Sequence, residues 1–341
     1  MKGNKKILTV SIAAYNVEST LEECLIPFTK SRYKDELEIL IINDGSKDQT
    51  VEIAKRYVRE YPNTFFLVNK DNGGWGSTLN SGMQHGTGKY FKQLDGDDYF
   101  STENLDRFVE FLKLTNADMV YSPFVLFTDK NGAILRIAGN YQNTVPVNTL
   151  MHFDEIPDFV PAMHSLCVKT EILKEHSIQI TEHCFYTDVE FVLKCCNFCQ
   201  TLIFFSLPVY YYRLARSGQS MSIQGVRKHY RDHLKMLWTM LRYEKENIIS
   251  SWAKETFHKR LLLACEFQYI FFFALEGTEK ERQELIQFDN NLQENYPKYY
   301  SEIGNGAVKL LRKFHYHGYK WIGKIQTNRD KRKKINVFEG C

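Results

Sequence analysis

Glu38-Ile39-Leu40-Ile41-Ile42-Asn43-Asp44-Gly45-Ser46 runs from consecutive aliphatic residues straight into a polar, glycine-bearing turn. A short unbroken apolar run bounded by turn residues reads as a strand buried on both faces, not as an alternating, half-exposed one. Similar runs flank it at Ile7–Ala13, Thr64–Val68, Tyr90–Leu94 and Asp118–Tyr121. Between them apolar residues fall at helical spacing, as in Leu21/Cys24/Leu25/Phe28 and Val51/Ala54/Tyr57/Val58. Strand–helix alternation of this kind predicts an α/β domain, a mostly parallel sheet with helices on both faces. Ligands of such sheets bind beyond the carboxyl ends of the strands. Polar and glycine residues gather at those ends here: Tyr15-Asn16, Asn43-Asp44-Gly45-Ser46 and Asp95-Gly96-Asp97-Asp98.

Leu94-Asp95-Gly96-Asp97-Asp98-Tyr99 places three carboxylates in four positions directly after an apolar strand. They repel one another unless a cation neutralises them, and oxygen ligands suit Mg²⁺ or Mn²⁺ bridging to phosphates. An EF-hand is excluded because Tyr99 and Phe100 occupy positions that need a ligand and a glycine. The competing reading is an acidic turn before a helix that starts near Ser101-Thr102-Glu103. Asp44 can accept hydrogen bonds from a base or ribose, while Ser46 or Asp48 caps a helix beginning near Gln49-Thr50; a plain strand–helix turn is the alternative. Asn72-Gly73-Gly74-Trp75-Gly76-Ser77 matches neither phosphate-loop pattern. It either brings backbone N–H groups to a diphosphate or sugar, or is a flexible loop.

Taken in order, these pieces resemble family 2 glycosyltransferases of the GT-A fold. The resemblance rests on Val10-Ser11-Ile12-Ala13-Ala14-Tyr15-Asn16, Ile41-Ile42-Asn43-Asp44-Gly45-Ser46, Asn72-Gly73-Gly74, Asn80-Ser81-Gly82, Gly88-Lys89-Tyr90 and the acidic motif. It continues with Tyr186-Thr187-Asp188-Val189-Glu190-Phe191 and Tyr210-Tyr211-Tyr212-Arg213. It implies an inverting transfer of sugar from a nucleotide-sugar, typically a UDP-sugar, to an acceptor hydroxyl on a saccharide or lipid-linked molecule, as in surface polysaccharide synthesis. Ala13, Tyr15, Asp44, Asn72 and Asp95 would contact the donor nucleotide. Asp95 and Asp97, with Asp98 as ligand or support, would hold Mn²⁺ or Mg²⁺. Asp188 stands where the catalytic base is placed, and the alternative for it is a helix N-cap. Arg213, Ser217 and Ser220 would belong to a loop closing over donor or acceptor. Leu79 stands where an arginine is usual and Thr187 where a glutamate is, which leaves the sugar open. A nucleotidyltransferase would want a basic glycine-rich loop after the first strand, and Ala13-Ala14-Tyr15-Asn16-Val17-Glu18 is neither. A non-catalytic nucleotide-sugar-binding module is disfavoured by the retained Asp44, Asp95, Asp97 and Asp188.

The chain of 341 residues has room for this domain over 1–222 and a helical, basic region over 223–341. Its 44 basic and 41 acidic residues give a net charge of +3, too small to require nucleic acid. The basic residues concentrate in Ala307–Lys334, among Leu310, Leu311, Phe314, Tyr319, Trp321 and Ile322. That pattern suits peripheral contact with an anionic membrane, or else a solvated tail on a packing helix. The short N-terminal apolar run lacks signal-peptide character, and a cytoplasmic protein is expected. The eight cysteines, including Cys195, Cys196 and Cys199, read as buried thiols in preference to a zinc site.

Overall fold

The computed structural model describes residues 5–129, 132–141, 144–156, 159–214 and 222–332. The chain forms two compact units, Met1–Arg216 with Ser250–Ala253, and Ser217–Ile249 with Lys254–Cys341.

The first unit opens with β1 (Leu8–Ala14), α1 (Leu21–Lys30), β2 (Leu37–Asp44), α2 (Thr50–Glu60), β3 (Phe65–Lys70), α3 (Trp75–His85) and β4 (Tyr90–Asp95). β2 is buried along its whole length, as its aliphatic run demands. β1 pairs in parallel with β2 and with β4, Ile12 lying between Ile41 and Leu94. β5 (Tyr99–Phe100) precedes α4 (Thr102–Leu114), whose N-cap Ser101 accepts the Asn104 N–H. The chain continues through β6 (Met119–Tyr121), β7 (Phe124–Thr128), β8 (Ile134–Ala138), β9 (Leu150–His152), β10 (Leu166–Lys169), α5 (Thr170–Glu175), α6 (Asp188–Phe198), β11 (Thr201–Phe204) and β12 (Tyr210–Leu214).

Among the described residues the main sheet runs β3-β2-β1-β4-β10-β6-β11-β9, and a second sheet runs β5-β12-β7-β8. β10 lies antiparallel between β4 and β6 and makes the mostly parallel sheet mixed. β11 and β12 belong to different sheets; Pro208, with no N–H to donate, sits in the break between them. Neighbouring β4 residues serve separate cores: Tyr90 packs with α1 and α4 residues such as Phe28 and Phe108, and Phe91 with Leu79, Val192 and Cys195. Cys195, Cys196 and Cys199 are fully buried in the second of these, and burial pushes the Cys195 and Cys199 thiols well up.

The second unit comprises α7 (Ile223–Glu246), α8 (Lys254–Ala274), α9 (Glu279–Asn295), α10 (Pro297–Glu302), α11 (Gly306–Lys313) and α12 (Tyr319–Arg332). α9 begins at a capping box, Thr278 with Glu281. At its centre Asp289, fully buried, takes hydrogen bonds from Tyr269, Tyr316 and Arg312. Arg312 also lies 3.6 Å over the Tyr300 ring. It is therefore an internal ion-pair residue and not part of the basic surface that the sequence pattern predicted. None of the described helices is long and apolar enough to cross a membrane.

Candidate active site

The parallel strands deliver their polar termini to one edge. The register sets Ala13 beside Asp95 and Ala14 beside Asn43. Tyr15, next along, is 49% exposed, so its ring is open to a planar ligand. Asn16 adopts a left-handed backbone (φ 52°) and accepts the Lys47 N–H, which ties the turn after β1 to the turn after β2.

Asp44 is only 2% exposed. One carboxylate oxygen accepts the Gly73 N–H at 2.9 Å and Lys70 Nζ at 2.8 Å. The other accepts the Gly74 N–H at 2.8 Å and Asn72 Nδ2 at 3.0 Å. The carboxylate that the sequence reading gave to a base or ribose fastens the glycine-rich loop to the end of β2. Trp75, just beyond that loop, donates Nε1 to Asp95 at 2.7 Å.

The acidic motif divides by depth. Asp95 and Asp97 are partly exposed, whereas Asp98 is 1% exposed. Burial, the Asp97 charge and the Asp188 charge push the Asp95 carboxyl up to about 7, against the pull of the Trp75 hydrogen bond. Asp98 is pushed well above the carboxylate range by burial and by Asp97 and Asp95. Its oxygens accept Tyr210 OH at 2.6 Å and the Arg213 N–H at 2.7 Å, so Asp98 ties the motif to β12.

Arg213, expected in a closing loop, is a strand residue whose guanidinium bonds the Asp97 carbonyl at 2.7 Å, Asp129 at 2.6 Å and Glu23 at 2.5 Å. It is buried, and these bonds tie the acidic motif to β12. Ser217 and Ser220 lie outside the described residues.

Asp188 opens α6 and is partly exposed. Its charge bears on Asp95 and on Tyr212, whose hydroxyl is held well above its ordinary range by burial and by Asp98, Asp95, Asp97 and Asp188 together. All four carboxylates therefore bear on Tyr212. The approach to Asp188 is anchored on α3. His183 donates its N–H to the Gly73 carbonyl, and Asn80 exchanges hydrogen bonds with the Ile180 N–H and carbonyl. A Cβ on Gly76 would stand 2.3 Å from the Thr181 carbonyl, so only glycine permits this contact. His183 and Tyr186 both have left-handed backbones, a strained route into the helix that these contacts hold in place.

Sequence reasoning missed His164 and Lys92. His164 sits in the 3₁₀ turn Met163–Ser165 that leads into β10, the strand lying antiparallel to β4. His164, Asp95 and Asp98 bring ligand atoms within 4.8 Å of one another. The imidazole lies 4.4 Å from the Tyr212 ring, and its carbonyl is held by Lys92 Nζ at 2.7 Å. Lys92 is fully buried and burial lowers it to about 8. Nothing in the irregular pattern around 164 signals this, because only the strand pairing makes it a neighbour of Asp95. Two carboxylates and an imidazole, both acids pushed up by burial and by their neighbours' negative charge, are a donor set that a divalent cation fits.

The family model for glycosyl transferase family 2 matches residues 9–175, the stretch that carries β1 to β10 and the acidic motif. The chain carries a glycosyl transferase family 2 domain. It is 33% identical over 130 residues to the "Uncharacterized glycosyltransferase RP339" of Rickettsia prowazekii, a match covering 38% of this chain and 39% of that protein. The chain thus spans well under half of that relative's length. Among solved structures it is similar to S. aureus TarS 1-349 in complex with UDP-GlcNAc, with a TM-score of 0.65 at 17% identity, over 96% of this chain and 92% of that one. A mannosyltransferase from Pyrobaculum calidifontis, in complex with GDP-Man and Mn²⁺, follows with a TM-score of 0.56 at 17% identity, over 96% of this chain and 88% of that one. These likenesses place the family 2 domain in the GT-A fold.

Proposed function

We propose that the chain is an inverting glycosyltransferase that moves a sugar from a nucleotide-sugar, a UDP-sugar above all, to a hydroxyl of a saccharide or lipid-linked acceptor. The observation that carries this is the cluster of Asp95, Asp98 and His164 at the end of β4, with Asp97 and the charge of Asp188 bearing on Asp95, together with a glycine-rich loop tied to Asp44. Ala13 and Tyr15 offer a backbone edge and an open ring to the base, and the chemistry lies within residues 1–222. α7 to α12 belong to a separate helical unit. Asp95, Asp98 and His164, with Asp97 of the same motif, are the groups that would hold Mn²⁺ or Mg²⁺. Bound there, such an ion supplies charge neutralisation for the departing diphosphate.

The protein's own part of the reaction is positional and basic. The Asp44-fastened loop and the Trp75–Asp95 bond set the donor edge. Asp188, one carboxylate facing that edge from a braced helix start, takes the proton of the acceptor hydroxyl as its oxygen attacks the anomeric carbon opposite the leaving group. One base and one displacement give inversion. A donor-hydrolysis screen across UDP-, GDP- and dTDP-sugars, each with Mn²⁺, Mg²⁺ or excess EDTA, tests the reading. UDP-sugar turnover that EDTA abolishes is the expected result; no turnover of any donor with either metal overturns it.

A further inference from the structure

α12 carries a face that packing within its own unit leaves uncovered. At 100° per residue, Tyr319, Ile322 and Gly323 share one side; Tyr319 and Ile322 are buried, and the Tyr319 hydroxyl is bonded to the Phe272 carbonyl. Lys320 and Lys324 form the adjoining stripe. Trp321 and Ile325 form the next, 66% and 48% exposed. α11 repeats the scheme: Val308 and Leu311 are buried, while Leu310 stays exposed beside Lys309 and Lys313. No acidic residue occurs between Ile303 and Arg329.

Next to the α12 lysines lies a cavity of 220 Å³ lined by Arg227, Lys320 and Lys324, with Phe272 and Gly277, and by a single carboxylate, Glu276. Arg227 donates Nε to the Ala274 carbonyl. No ion pair among the described residues takes up the charge of Arg227, Lys320 or Lys324. Three cations converging on one cavity, beside an exposed tryptophan and isoleucine, complement a surface that offers phosphates over hydrocarbon.

We propose that this face of the second unit docks on an anionic lipid bilayer, with Trp321 and Ile325 entering the interface and Arg227, Lys320 and Lys324 taking lipid phosphates. The helix lies in the plane of the bilayer and does not cross it. The site stands on the second unit alone, so it succeeds or fails independently of the donor chemistry.

The test is sedimentation of the full chain with vesicles of phosphatidylcholine alone and of phosphatidylcholine mixed with phosphatidylglycerol. Binding to the mixed vesicles only, weakened by added salt, is expected. Lys320→Gln and Lys324→Gln should each lower vesicle affinity about fivefold. The blue shift of tryptophan emission on adding mixed vesicles should vanish in Trp321→Phe. These side chains are on the surface, so unchanged melting temperatures verify that each variant is folded. Equal binding to both vesicle types, unaltered affinity in the Lys320→Gln/Lys324→Gln protein, or an emission shift that persists in Trp321→Phe would each overturn the proposal.

Discussion

Asp44→Asn separates two roles that the sequence cannot separate. In the native carboxylate, Gly73 N–H and Lys70 Nζ share one oxygen while Gly74 N–H and Asn72 Nδ2 share the other. A carboxamide keeps one oxygen and turns an NH₂ toward the remaining donors, so either orientation leaves one loop N–H facing a donor. A buried donor left unsatisfied costs about 1–3 kcal/mol. Loss of the charge opposite Lys70, itself partly exposed, brings the total to about 3 kcal/mol. At roughly 2–4 °C per kcal/mol for a unit of this size, the ligand-free protein should melt about 6–12 °C lower. The assay is thermal unfolding followed by circular dichroism with no nucleotide present. A variant that melts with the wild type yet loses UDP affinity would show that Asp44 serves the nucleotide directly and that the glycine loop holds itself.

Asp188→Asn should lower kcat by about 10²–10⁴-fold with little change in UDP affinity; wild-type turnover would return the residue to a helix cap. Asp97→Ala should abolish turnover together with the metal-dependent stabilisation by UDP, and His164→Ala should weaken Mn²⁺ binding, read by titration of the metal in the presence of UDP; unchanged Mn²⁺ affinity in the latter removes the imidazole from the site. Gly76→Ala forces the Thr181 carbonyl away, so kcat should fall while the acidic motif, on another element, still binds UDP; a variant with native kcat would show that the 180–187 approach does not position Asp188. His233 is buried against Gln268, and burial lowers it to about 4. Its folded value lies below the unfolded one, so its share of stability is present above about 6.5 and is lost as pH falls toward 4, worth at most about 3 kcal/mol. The pH dependence of urea unfolding measures this, and His233→Gln should flatten the slope over that window.

The parallel half of the sheet was legible because buried parallel strands write themselves as unbroken aliphatic runs, and β1 to β4 all do. The acidic motif and the helix start at Asp188 were legible as well, since a carboxylate cluster and a change of periodicity are local signals. The glycine-rich loop could be seen but not interpreted: that Asp44 is its anchor depends on backbone N–H groups some thirty residues away in the chain folding back onto one carboxylate. The resemblance put Arg213 in a closing loop; the structure puts it on β12, paired with β5 and β7, with its side chain bonded to the acidic motif.

The sequence by itself determined which strand ends carry polar chemistry, the family to which the domain belongs, and where the basic residues accumulate. Only the tertiary structure decided which of those residues share a site. β10, short and surrounded by irregular chain, leaves too little periodicity to be read. Its insertion beside β4 nevertheless leads from a turn where His164 comes within reach of Asp95 and Asp98, with Lys92 holding the His164 carbonyl. Likewise composition could only count the cations of α11 and α12. Burial of Arg312 against Asp289, and exposure of Trp321 beside Lys320 and Lys324, follow from which side of each helix the core takes, and that is settled by packing between residues far apart in the chain.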